Sequence, residues 1–87
     1  MYNVHNSMGT VITYRNVRLM IHSDDHLPAH VHAVGPDAEA KIEIETQKVI
    51  WAYGYTSKAL ARIVEEVRNR REQLLEAWHE IHGKEKD

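Results

Sequence analysis

The chain has 87 residues, 43% of them hydrophobic and 28% charged, with a formal net charge of −2. That length holds one small domain and not two independent cores, and that composition belongs to a folded chain rather than a disordered or fibrous one. Cysteine is absent, which excludes a disulfide framework, a cysteine zinc finger and a thiol nucleophile, and no basic block exists to bind nucleic acid through bulk charge.

Residues 1–9 are polar and aperiodic and read as a flexible segment, with a single domain over 10–83 and a charged tail over 84–87. Thr10 to Tyr14 and Val17 to His22 are rich in β-branched and apolar residues, and Arg15-Asn16 between them makes a hairpin, with Asn16 suited to a left-handed turn position. The period of two puts Val17, Leu19 and Ile21 on the core face and Arg18, Met20 and His22 on the other. Ser23 to Pro28 is a loop. His30 to Val34 resumes as a strand, stopped by the turn signal Gly35-Pro36-Asp37. Ala40, Ile42 and Ile44 then alternate with Lys41, Glu43 and Glu45, a strand with one wet face. After Thr46-Gln47, the apolar run Val49 to Tyr53 reads as a fifth strand.

From Ser57 the period becomes helical: Leu60, Ile63, Val64 and Val67, then Leu74, Leu75, Trp78 and Ile81. Arg70 and Arg71 interrupt the stripe, and Asn69 with Glu72 suggests a capping box, so the region is one kinked helix or two. Gly83 is a plausible stop. The fold class is α+β: an antiparallel sheet of four to five strands with this helical region packed on one face.

The densest chemistry lies in Asp25-His26-Leu27-Pro28-Ala29-His30-Val31-His32. His30 and His32 project from one face of a strand, roughly 7 Å apart at their Cα atoms, and Pro28 limits how far Asp25 and His26 stray. His26, His30 and His32 with a water would suit tetrahedral zinc, with Asp25 outside them. The same residues could form a ligand or partner patch without metal. They could also be half-buried polar groups bonded to backbone, with the aspartates capping the turn. A histidine pair also permits acid–base cleavage of RNA. No lysine or arginine between Arg18 and Lys41 is at hand to hold a phosphate.

Trp51, Tyr53 and Tyr55 would share one face of a straight strand, as core or as an aromatic surface. Arg68, Arg70 and Arg71 form a basic cluster for RNA or an acidic partner, unless Glu66 with Arg70 and Arg68 with Glu72 pair along the helix. Trp78 belongs to the core stripe. Seven histidines, five of them in the first 32 residues, make the charge sensitive to pH in the imidazole range. No apolar run reaches the roughly 18 residues of a membrane span, and the opening six residues lack a signal peptide's order. The expectation is a cytoplasmic protein without membrane association. A core this small supplies about 3–5 kcal/mol, so a metal, a homodimer or a protein partner would matter to stability.

The apolar hairpin, Asp25-His26-x-Pro28-x-His30-x-His32, the acidic strand pair, and Asn69-Arg70-Arg71, Leu74, Trp78 and His79-Glu80-Ile81-His82-Gly83 together resemble the small prokaryotic family called domain of unknown function 4160. The resemblance runs from about Ile12 to Gly83. The family element is usually written His-x-Pro-Pro-His-Phe-His, and Ala29 and Val31 here replace its second proline and its aromatic. The resemblance implies no established activity. It implies a gene beside a second small uncharacterised family, domain of unknown function 2442, in an arrangement like a toxin–antitoxin pair. A binding or regulatory module with a protein partner, encoded next door, is the resulting expectation. A small metal-dependent or histidine-based nuclease is the alternative.

Overall fold

A computed structural model describes residues 8–82. Five strands, β1 (Met8–Tyr14), β2 (Val17–His22), β3 (His30–Gly35), β4 (Ala38–Glu43) and β5 (Val49–Tyr53), form one antiparallel sheet in the order β1-β2-β3-β4-β5. Two helices follow, α1 (Ser57–Asn69) and α2 (Arg71–Ile81). The expected α+β architecture is present, with five strands and two helices.

Alternation builds the core. Leu19, Ile21, Val31, Ala33, Ala40, Ile42 and Ile44 are fully buried, and Ile63, Val67, Leu74 and Trp78 from the helices pack in the same cluster. Each of these side chains contributes about 1.5–3 kcal/mol by leaving water, except the smaller alanines. Trp78 is core, as its place on the helical stripe indicates.

The boundaries differ from the sequence expectation where tertiary pairing overrides local composition. β1 begins at Met8 rather than Thr10, because its backbone pairs Met8 with His22 and Gly9 with Ile21. The rest of the expected flexible segment, the Gly83 stop and the charged tail lie outside the described residues. In the first hairpin Arg15 takes the positive φ, 57°, in place of Asn16, and its guanidinium lies over the Tyr14 ring. The capping box at Asn69 and Glu72 does not form: α2 is capped at Arg70 without a side-chain hydrogen bond, and the Arg70 N–H donates back to Glu66 and Val67. α1 has the better start, with Thr56 Oγ1 accepting from Ala59 N at 3.0 Å.

At Gly54 the chain leaves the sheet with φ 85°, and a Cβ there would overlap the Asp37 carbonyl oxygen and Ala38. Only glycine fits this turn. It divides the aromatic series. Tyr55 turns inward and donates from its hydroxyl to Ala33 O at 2.7 Å, whereas Trp51 and Tyr53 remain on β5, 40% and 59% exposed. The core reading therefore holds for Tyr55 and fails for the other two.

Candidate functional site

The loop from Ser23 to Ala29 crosses the end of the sheet between β2 and β3, and Asp25 fastens it. Asp25 N donates to His22 O at 3.1 Å, and His22 N donates to Asp25 Oδ2 at 3.2 Å. Strand register does the rest. Met20 pairs with His32, His32 with Lys41 and Lys41 with Trp51, so these four side chains form a row across the face opposite the core. His22, two residues beyond Met20, lies on that same face.

His30 is 2% exposed. Its Nδ1 donates to Pro28 O at 2.8 Å, which leaves the neutral ring with a lone pair on Nε2. That atom stands 3.3 Å from Asp25 Oδ2, and His32 Nε2 stands 3.4 Å from the same oxygen. Both Nε2 atoms are buried and neither makes a hydrogen bond. The approach is close, but the direction is wrong for donation. His32 is oriented from behind by Glu39, whose Oε2 accepts from Nδ1 at 3.2 Å. His22 stacks on His32 with ring centroids 4.4 Å apart. One ligand atom each from His22, Asp25 and His32 fall within 4.8 Å of one another.

Burial holds His30 below the ordinary imidazole value, against the opposing pull of its bond to Pro28 and the charge of Asp25. For Asp25, burial pushes the carboxyl up, but the His22 N–H and the neighbouring imidazoles outweigh it and hold it below the usual carboxylate range. The Asp25 carboxylate thus faces two ring nitrogens that lack a hydrogen-bond partner. A carboxylate oxygen facing a nitrogen lone pair is a repulsive pair unless a cation lies between them.

Of the residues singled out in the sequence, Asp25, His30 and His32 come together. His26 is exposed and enters none of the hydrogen bonds or ion pairs of the described residues; the turn presents it to solvent, and His22 occupies the third position. His22 and His30 flank one loop, and this adjacency was a usable sequence signal. Glu39 was not, because its contact with His32 depends on the β3–β4 register. Near the loop, His82 stacks on Trp78 at 3.8 Å and its Nε2 lies 3.2 Å from Asp25 O, which ties the end of α2 to the same loop.

The arginines are elsewhere. Arg68 pairs with Glu65 at 2.9 Å, Arg70 with Glu66 at 2.7 Å and Arg71 with Glu45 at 2.9 Å. Arg68 thus takes Glu65 in place of Glu72. They border a cleft of about 540 Å³ at the α1–α2 junction that contains no histidine.

No described helix is long and apolar enough to cross a membrane. Neither a curated protein nor a solved structure matches the chain. The model of one family, however, matches residues 16–79, which span β2, the histidine loop, β3 to β5 and both helices to His79. The chain belongs to that family, described as domain of unknown function (DUF4160).

Proposed function

We propose that the protein is a cytoplasmic binding module of a two-gene, toxin–antitoxin-like regulatory system. It recognises a protein partner, the product of an adjacent gene, through the outer face of the sheet and the β5 edge. One observation carries this reading: Trp51 and Tyr53 are exposed on an edge strand, stacked with centroids 6.2 Å apart and nearly parallel. Exposed aromatics are costly to leave in water and are the residue types that most often anchor interfaces. Ile50, 40% exposed, extends the apolar area on the strand. An edge strand also offers unpaired backbone groups to an incoming strand. The Trp51 ring lies 6.3 Å from His32, so the histidine cluster adjoins the aromatic pair.

The test is co-expression with each neighbouring gene product followed by calorimetric titration. A 1:1 complex should form, and the double variant Trp51→Ala/Tyr53→Ala should weaken it at least 100-fold while the circular dichroism of the free protein stays unchanged, since both side chains lie outside the core. Equal affinity for the variant would remove this face as the recognition surface. Self-association in place of a heterocomplex, lost in the same variant, would make the partner a second copy of the chain.

The alternative, a histidine-based or metal-dependent nuclease, draws support from the convergence of His30 and His32 on Asp25. Its requirement is RNA cleavage that disappears in His30→Ala.

A further inference from the structure

We propose that His22, Asp25 and His32 bind one divalent transition-metal ion of the zinc type at the end of the sheet. Three independent features of the cluster converge on this site. The first is the donor set: two imidazoles and a carboxylate, with ligand atoms mutually within 4.8 Å, suit zinc and its neighbours better than magnesium or calcium, which take oxygen ligands.

The second is spacing. Around an ion with bonds of about 2.0–2.1 Å, the edge of a tetrahedron is about 3.3–3.4 Å. His32 Nε2 and Asp25 Oδ2 are 3.4 Å apart without a hydrogen bond between them. That is the separation expected of two ligands rather than of a donor and an acceptor. His22 completes the set from the end of β2, half-buried and with its ring stacked on His32.

The third is the surroundings. Glu39 accepts from His32 Nδ1 and thereby frees Nε2 as a ligand, the carboxylate–histidine–metal arrangement. His30, almost completely buried, aims its unpartnered Nε2 at the same Asp25 oxygen from the other side. It places a second unpartnered ring nitrogen 3.3 Å from the carboxylate oxygen, so a cation at this point would engage both. His26, although it belongs to the same histidine-rich segment, plays no part.

Zinc alone, and cobalt alone as its spectroscopic substitute, are the probes, titrated into protein without a histidine tag. The expected result is saturable 1:1 binding with a rise in Tm and a visible cobalt absorption of low-symmetry, four-coordinate type. Asp25→Asn, which retains an oxygen to accept from His22 N, and His32→Ala should lose the binding. Glu39→Gln should weaken it by about 10-fold or more. His26→Ala should leave it unchanged, and magnesium should not compete. The site is wrong if no 1:1 binding appears. It is equally wrong if Asp25→Asn binds as well as the parent, or if binding falls in His26→Ala as it does in His32→Ala, the pattern of scattered surface imidazoles. Should His32→Ala fail to fold, Asp25→Asn with circular dichroism as control decides the matter. The metal titration and the partner titration read different residues, so either result stands without the other.

Discussion

One backbone angle, at Gly54, sends Tyr55 inward while Trp51 and Tyr53 stay outside. The Tyr55 hydroxyl then bonds to β3 through Ala33 O. Burial, aided by Glu39 and Tyr53, raises its phenol above the ordinary value of 10.0. The sign follows from proton counting. Above that value the unfolded chain releases a proton that the folded chain retains, so the stabilisation is fully present below it and is lost as pH rises through the raised value. Tyr55→Phe should cost about 1 kcal/mol in urea unfolding at neutral pH. It should also flatten the alkaline fall in stability relative to the parent; an identical alkaline profile would show that Tyr55 is not the titrating group.

At the scale of elements, α1 is capped by the Thr56 side chain. Thr56→Ala should destabilise by about 1 kcal/mol in urea unfolding, whereas removing Arg68, whose pair with Glu65 is solvent-exposed, should change little. Equal losses would mean that surface ion pairs hold α1 in place. Strand and helix identity followed from the switch of period between Tyr53 and Ser57, because Leu19, Ile21, Ile42 and Ile44 must share one face to be buried together. Asn16 and the Asn69–Glu72 box misled, since both are local preferences that chain path overrode at Arg15 and Arg70. Three of the four residues expected in the histidine patch are together because adjacency in a loop and parity in a strand are local geometry. His22 and Glu39 required the pairing of β2, β3 and β4, which periodicity does not supply. Trp51 and Tyr53 stayed open between core and surface because an aromatic run reads alike on either face of a sheet.

For the whole molecule, the helices cover one face of the sheet, and among the described residues no helix packs on the other. That second face carries the row Met20, His32, Lys41 and Trp51, with Tyr53 and Glu39 beside it. The core and the proposed recognition surface thus lie on opposite sides of the sheet, so substitutions on the outer face leave the core filled. Hydrogen exchange of the free protein and of the proposed complex with the adjacent-gene product tests this division most directly. The account predicts new protection over Val49–Tyr53 and the neighbouring outer-face amides, with α1 and α2 unchanged. Protection confined to the helices, with β5 exchanging as fast as in the free protein, would contradict it.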